Sequence, residues 1–421
     1  MLVEIAERLR TVLERAAWHL YAGEHVTCSL ALLPTIALNN MPHEWGMADV
    51  IQQQSLSYVE LIVGLSKDIL SETLTKHLFE LQKRKEEKEK EESTQLLTNK
   101  EKVGPILLGL LVPHLSTEMV FLALLLLPAH STLWNQRRRS LSAFLHNDNN
   151  KNDMDKCQRD RSFLVLALLQ ELLFTSLLLS LHYKMQEVWV HRWWIVQELF
   201  KIDGMRLKAF LWHDRLVLQE AADKHLMNYN AWNYRRNVFT RILKIEKEKN
   251  AANGVESEEM RSLFLEETSI VLRFFETHNA DTSAVSYLIY LLQEASATYP
   301  PLPVNAELQD WISFLPFHIW RLLMNTTAQE LRRHYDKGHE TVWVLRLALM
   351  QWALHTKPPC GWTLQDELQY IMLFATSVWN SEDNDKMEDV TWLDVSGSCR
   401  WTSYHATRYG LQILQMVHPM V

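Results

Sequence analysis

The sequence predicts an all-α protein, an α/α superhelix built as a right-handed solenoid of helical hairpins. Three observations support this fold class. A tryptophan-centred pattern recurs along the chain, leucine is abundant, and glycine and proline are few, at 11 and 12 of 421 residues. A chain of this length exceeds one compact core, and a repeated pattern favours an elongated solenoid over two globular domains.

The repeat is clearest in residues 228–236, which read Asn-Tyr-Asn-Ala-Trp-Asn-Tyr-Arg-Arg. Related copies are centred on Trp134, Trp189 and Trp343, and a decayed copy has Val285 at the central position. The five central residues, here called anchors, are separated by 55, 43, 53 and 58 residues. Spacings of this size are typical of helical hairpin repeats.

The anchors are predicted to be structural residues, buried in the groove between neighbouring hairpins. Residues three and four positions after an anchor share its helix face, so an arginine there can stack on the ring or reach carbonyls and carboxylates. Five such arginines are assigned to repeat packing or to an interface with a partner: Arg137, Arg192, Arg235, Arg236 and Arg346. Good helix N-cap residues lie two positions before the anchors, namely Thr132, Asn230, Ser283 and Thr341.

Charge and cysteine content exclude several function classes. A net charge of −8 argues against nucleic acid as the main partner. The four cysteines show no CxxC spacing, which fits a reducing, cytoplasmic compartment and no structural zinc. His191, His213 and His225 are spread along different predicted helices, so no metal site is assigned to this chain.

Two apolar stretches need a membrane test. Residues 105–128 contain Pro113, His114 and Glu118, and residues 163–181 contain Gln170 and Glu171. Neither offers the ~20 uninterrupted apolar residues that a membrane span requires. We therefore expect no transmembrane segment and interpret each stretch as the buried helix that precedes a repeat motif.

The predicted organisation has three parts: an N-terminal helical region (1–103), the repeats (104–355) and a C-terminal helical cap (356–421). Within the first part we expect a helix over residues 1–20, an irregular connection over 21–58 and helical periodicity over 59–82. A charged insert, residues 83–92, is expected to be a solvated helix or disordered.

The recurrent Asn-Tyr-x-x-Trp-x-x-Arg-Arg pattern resembles the repeat of protein prenyltransferase α subunits. Residues 228–236 match almost completely, and residues 127–138 match including Pro128, six residues before the anchor. The resemblance covers about residues 104–355. It implies a crescent of helical hairpins wrapped around a separate catalytic β subunit, an α/α barrel that holds the zinc and the isoprenoid pocket.

The resemblance also implies an activity. The chain would be the α subunit of a heterodimeric transferase, inactive alone, that helps to move a geranylgeranyl or farnesyl group from its diphosphate to a C-terminal cysteine of a target protein. The favoured partner is a β subunit of the Rab geranylgeranyltransferase type. No cofactor is expected in this chain.

Three residues are carried over from the family to the diphosphate side of the site. A family lysine lies five residues before the second-repeat tryptophan, which is the position of Lys184. Tyr229 matches a family tyrosine, whereas Asn230 replaces a histidine but keeps a hydrogen-bond donor. Gln186 departs from a second family tyrosine. Such donors stabilise charge that develops on a leaving diphosphate.

An alternative from another class remains open. A TPR-like helical scaffold can bind peptides on its concave face without any enzyme partner. The decayed copy at Val285 keeps this alternative open, and the tryptophan–arginine pattern of the other copies favours the transferase subunit.

Overall fold

The computed structural model describes most of the chain. The described ranges are 2–22, 24–33, 47–55, 58–66, 116–146, 154–202, 207–253, 258–299, 306–333, 339–358, 363–375 and 397–417, with shorter stretches between 71 and 83 and at 302–303. The charged insert at 83–92, apart from Lys83, and residues 104–115 lie outside these ranges. The chain forms two compact units, Met1–Val238 and Phe239–Val421. The predicted division at 103/104 and 355/356 stays a prediction.

The first unit contains one helix, a small sheet and then the first hairpins. Its elements are α1 (Leu2–Ala22), β1 (His25–Leu33), β2 (Met47–Ser55), β3 (Tyr58–Ser66), α2 (Thr117–Leu126), α3 (Ser131–His146), α4 (Met154–Leu181), α5 (Gln186–Leu199), α6 (Leu207–Lys224) and the start of α7 (Tyr229–Asn253). The division between the units falls within α7.

The sheet corrects the prediction for the N-terminal region, where we expected an irregular connection and then helix. Its strand order is β1-β3-β2, with β1 parallel and β2 antiparallel to β3. The alternation of buried Val26, Cys28 and Leu30 with half-exposed residues is the strand period that the sequence contained. The Leu30 N–H donates to Ser180 Oγ at 2.8 Å, so α4 covers part of the outer edge of β1.

The second unit consists of helices throughout its described residues. They are α8 (Glu258–Thr277), α9 (Thr282–Thr298), α10 (Leu308–Ser313), α11 (Leu315–Arg333), α12 (Glu340–Thr356), α13 (Leu364–Ala375) and α14 (Gly397–Val417), after the end of α7. In this unit α8 packs on α11, α9 packs on α12, and α12 packs on α14. First helices therefore stack on first helices and second helices on second helices.

The hairpin repeat is confirmed. In four hairpins a connection of the same length joins the two helices, at residues 127–130, 182–185, 225–228 and 278–281. In the first unit α4 packs on α6 and α3 packs on α5, which is the same two-layer stacking. The all-α solenoid predicted for the repeats is what the structure shows, with the small sheet added near the N-terminus.

The long apolar helix α4 is a core helix by its burial. Its residues Ser162–Leu181 have a mean hydropathy of 2.1 and pass a membrane-span test on length and composition. However, 72% of this stretch is buried inside the fold. Its apolar side chains pack against α1, α5 and β1, which is the packing expected of the helix preceding a repeat motif.

Candidate functional site

Every anchor occupies the same place in its hairpin. Trp134, Trp189, Trp232, Val285 and Trp343 are each the fourth residue of a second helix, and all five are at most 4% exposed. The indole N–H groups of the first two donate to the carbonyl six residues earlier, at 2.7 Å to Pro128 and 2.9 Å to Tyr183. The tryptophan anchors are therefore buried between helices, and their structural role in the repeat stays a prediction.

A buried carboxylate lies beneath the anchors in three successive first helices. Glu171, Asp214 and Glu267 are at most 2% exposed, and each precedes the next anchor by 18 residues. The residue two positions after that anchor, on the second helix of the same hairpin, reaches the carboxylate. His191 Nε2 lies 2.8 Å from Glu171.

Tyrosine replaces histidine in the next two hairpins. The Tyr234 hydroxyl donates to Asp214 at 2.7 Å, and the Tyr287 hydroxyl donates to Glu267 at 2.8 Å. In the last hairpin Tyr409 donates in the same way to buried Glu367, at 2.6 Å. These bonds join the two helices of each hairpin through its interior.

The repeat arginines hold the same carboxylates from the preceding hairpin. Arg137 on α3 donates to Glu171 on α4 through Nε and Nη2, at 3.0 and 2.6 Å. Arg346 on α12 binds Glu367 on α13 through the same two atoms, at 2.5 and 2.7 Å. Each guanidinium therefore fastens one hairpin to the next.

Arg192 makes the most complete connection of this kind. Its Nε and Nη2 atoms lie 3.3 Å from Asp214 Oδ1. Its Nη1 donates to the Leu172 carbonyl at 3.1 Å and to the Thr175 and Ser176 hydroxyls at 2.8 and 2.9 Å. Because a buried charge is costly unless it is paired and hydrogen-bonded, this full set of partners is what stabilises the arginine inside the repeat.

Burial corrects part of the interface assignment. Arg192, Arg235 and Arg346 are at most 1% exposed and bind carboxylates of their own chain. These three are internal packing residues, which is the structural interpretation of the repeat arginines. Arg137 and Arg236 keep partial exposure, and their interface role stays a prediction.

These contacts and the burial of the groups shift the pKa values of Glu171, His191 and Tyr234. Burial alone would raise the pKa of Glu171, but Arg137 and then His191 outweigh it and hold that pKa at about 2. Burial lowers the pKa of His191 despite its bond to Glu171. Burial also raises the pKa of Tyr234, and the Asp214 carboxylate raises it further. Glu171 therefore stays ionised near pH 7, whereas His191 and Tyr234 stay neutral.

The residues two positions before the anchors are not N-caps, because the second helices start two residues earlier than that assignment required. Asp281 is the cap of α9 and accepts from the Ser283 and Ala284 amides at 2.9 and 3.0 Å. Asn230 and Thr341 instead donate to carbonyls in the connection of the preceding hairpin, those of Lys184 and Asn279. They join neighbouring hairpins rather than begin a helix.

These hydrogen bonds between neighbouring hairpins bring together Lys184 and Asn230, two of the residues predicted to lie on the diphosphate side of the site. Asn230 Nδ2 donates to the Lys184 carbonyl at 3.0 Å, and buried Asn228 Nδ2 donates to the Tyr183 carbonyl at 2.9 Å. Lys184 is exposed, and Tyr229, next to Asn230, is 69% exposed. We call this surface, formed by residues 182–185 and 224–230, the loop face.

The loop face carries positive and hydrogen-bonding groups on an aromatic base. Lys224 Nζ lies 5.1 Å from the ring centroid of Tyr183 and 2.6 Å from Glu220, and the His225 ring meets Tyr183 at 6.2 Å. Within the described part of the chain, the Lys184 ammonium has no carboxylate partner. An exposed ammonium without a counter-ion is available to an anionic ligand.

Comparison with models of known protein families identifies the type of repeat that two of these hairpins form. The family model named protein prenyltransferase alpha subunit repeat matches residues 168–199 and 216–242. The chain carries protein prenyltransferase alpha subunit repeats. The two matches span the hairpins α4–α5 and α6–α7, whose connections form the loop face. A comparison with curated proteins finds no match.

The matched repeat is helical, and the helical hairpins of the structure agree with it. The hairpin around Val285 shares the buried carboxylate and its tyrosine with the matched hairpins, and all five anchors occupy the same helical position. Among the described residues, no group of three or more His, Cys, Asp or Glu side chains is arranged to hold a metal ion.

The sequence reasoning missed the buried carboxylates, although a signal for them existed. Glu171, Asp214 and Glu267 recur 18 residues before their anchors, and the histidine or tyrosine side chains that reach them recur two residues after the anchors. Aligning the copies on the first helices, and not only on the tryptophans, exposes this register. An acid at a repeated buried position calls for a buried cation, and the repeat arginines supply it.

Proposed function

We propose that this chain is the α subunit of a heterodimeric protein prenyltransferase of the cytoplasm, and that its loop face contacts the diphosphate of the prenyl donor. The observation that carries the proposal is the match of the alpha subunit repeat to the two hairpins that hold Lys184, Tyr229 and Asn230. The proposed partner is a β subunit that supplies the zinc, the isoprenoid pocket and most of the catalytic site.

In this reaction an α subunit needs to contribute only positive charge and hydrogen-bond donors at the diphosphate. As the bond between the isoprenoid carbon and the diphosphate oxygen breaks, negative charge grows on the leaving diphosphate. In this proposal the Lys184 ammonium neutralises that charge and the Tyr229 hydroxyl donates a hydrogen bond to it, and their exposure leaves both available to do so. The incoming nucleophile is the C-terminal cysteine of the protein substrate.

Asn230 has a different role from the histidine that the family has at this position. Its Nδ2 group already donates to the Lys184 carbonyl at 3.0 Å. The amide therefore fixes the backbone of the lysine, and we propose that it orients Lys184 rather than serving as the main donor to the ligand. The transferred group is proposed to be geranylgeranyl, or else farnesyl, with a Rab geranylgeranyltransferase type of β subunit favoured on resemblance alone.

The test replaces Lys184 in the complete heterodimer. With Lys184→Ala we expect the complex to form normally and the turnover at saturating substrates to fall by about tenfold to a hundredfold, since one charge-stabilising group is lost. Lys201→Ala is the matched control, because Lys201 is also exposed and pairs only with Glu198 at 2.7 Å. Equal turnover of the Lys184→Ala and Lys201→Ala complexes would remove Lys184 from the diphosphate site.

A further inference from the structure

A cavity lies in the first unit, lined by residues other than those of the loop face. Its volume is about 490 Å³, within the range of ligand and side-chain binding sites. It opens between α1, α2, α3 and α4, and small or aliphatic side chains form its walls: Ala6, Leu141, Leu166 and Ala167. The proposed transferase role assigns nothing to this cavity.

The floor of the cavity has charged side chains but no net charge. Arg137 binds Glu171 through two hydrogen bonds of 3.0 and 2.6 Å, and its guanidinium carbon lies 5.1 Å from the ring centroid of Phe121. Glu171 also contacts His191 at 2.8 Å. Both floor charges are therefore already paired inside the fold, and neither is available to a ligand.

The mouth of the cavity is aromatic. Trp18, Phe144 and Phe163 are 51, 40 and 58% exposed, an arrangement that leaves large apolar rings in water. The Phe144 and Phe163 rings lie close together, with centroids 5.9 Å apart. Rings grouped around an opening favour a ligand with an apolar part and a flat or cationic group.

The charge at the mouth is negative. The Arg10 guanidinium and the Glu118 carboxylate lie 3.9 Å apart and compensate each other's charge. Glu14 is exposed, lines the same cavity, and has no ion-pair partner among the described residues. One uncompensated carboxylate among aromatic rings attracts a cation and disfavours an anion.

We infer that this cavity binds an arginine-bearing apolar segment of a partner protein. The guanidinium group stacks on aromatic rings and pairs with a carboxylate, here Glu14, while its aliphatic stem contacts the apolar walls. The volume exceeds that of one arginine side chain, so a bulky apolar neighbour in the same segment enters as well. This site is independent of the proposed prenyl transfer.

The inference is tested with a defined probe on the full chain. The probe is the capped peptide acetyl-Gly-Leu-Arg-Leu-Gly-amide, and its matched partner has citrulline, which keeps the shape of arginine without its charge. Binding is followed by fluorine NMR of protein labelled with 5-fluorotryptophan. The Trp18 signal is identified among the 16 tryptophans by its absence from Trp18→Phe.

We expect millimolar arginine peptide to shift the Trp18 signal to saturation, with the citrulline peptide binding about tenfold more weakly, the loss expected for one desolvated cation–π and ion-pair contact. Glu14→Gln should weaken the arginine peptide by the ion-pair part of that difference, leaving it tighter than the citrulline peptide through the remaining cation–π contact, and should leave the citrulline peptide unchanged. Glu7→Gln is the control, since Glu7 is exposed on the same helix outside the cavity, and it should change neither peptide.

Two results would overturn the inference. In the first, the arginine peptide binds equally to the wild type and to Glu14→Gln, or does not shift Trp18 at all. In the second, farnesol shifts Trp18 where the arginine peptide does not, and does so in both proteins. The cavity would then hold a lipid chain and not a protein segment.

Discussion

The buried carboxylate Asp214 gives the most quantitative prediction about how the hairpins are held together. It is fully buried and accepts hydrogen bonds from Arg192, Tyr234 and Arg235. Asp214→Ala removes the acceptor of all three side chains at once. Two guanidinium groups, each at most 1% exposed, are then left in the interior without their carboxylate.

The expected loss of folding free energy follows from leaving buried guanidinium charge without the Asp214 carboxylate. Removing one member of a buried ion pair costs about 3–5 kcal/mol, because the remaining charge loses its partner without regaining water. For a domain the size of the first unit, 1 kcal/mol shifts the melting temperature by about 2–4 °C. Asp214→Ala is therefore expected to lower the melting temperature of the first unit by about 6–20 °C.

Thermal unfolding is monitored by calorimetry. Hydrogen exchange in α5 and α6 identifies which transition belongs to the first unit. The control is Glu198→Ala, which breaks the 2.7 Å pair between Glu198 and Lys201 on the surface. An exposed pair of this kind is worth about 0–1 kcal/mol. If Asp214→Ala shifts the transition no more than Glu198→Ala does, the carboxylate does not hold the hairpins together.

Three further predictions concern stability. Trp232→Ala should destabilise the chain by about 3–5 kcal/mol, the cost of truncating a buried aromatic side chain, and an unchanged denaturation midpoint would contradict its burial. The folded pKa of Glu171 is about 2, below its ordinary value of 4.5. Its contribution of about 3 kcal/mol is therefore present above pH 4.5 and lost as pH falls toward 2, so Glu171→Gln should flatten acid unfolding curves in that window. Met227 has a left-handed φ of 56°, so Met227→Gly should stabilise by about 0.5–1 kcal/mol in urea titrations, whereas a loss of stability would show that the Met227 side chain matters more than its backbone.

The sequence predicted the hairpins because their signal is local and repeated. A tryptophan with an arginine three residues later marks one helix face in four copies, and these four with the decayed copy at Val285 give the period. The structure places all five anchors at the same helical position. The sequence also placed Lys184, Tyr229 and Asn230 on one surface through the resemblance, and the Asn230 bond to the Lys184 carbonyl shows that two of these residues are in contact.

What the sequence analysis missed depends on contacts between distant residues. The β1–β3 pair joins residues more than 30 positions apart, such as His25 and Tyr58, in a region whose prolines and asparagines suggested irregular chain. The partner of Arg192 is 22 residues away, on another helix. From the sequence alone, an arginine beside a tryptophan can be interpreted either as a surface residue or as an interior residue. The position of its acidic partner, here Asp214, decides between the two.

We propose above that this chain works as one half of a prenyltransferase. The most direct measurement is co-expression with each type of prenyltransferase β subunit, followed by size-exclusion chromatography with light scattering and a prenyl transfer assay on the eluted species. We predict a one-to-one complex with one β subunit, and transfer only from that complex. If the chain elutes alone in every pairing, it acts as a helical scaffold for other partners, and the transferase account is contradicted.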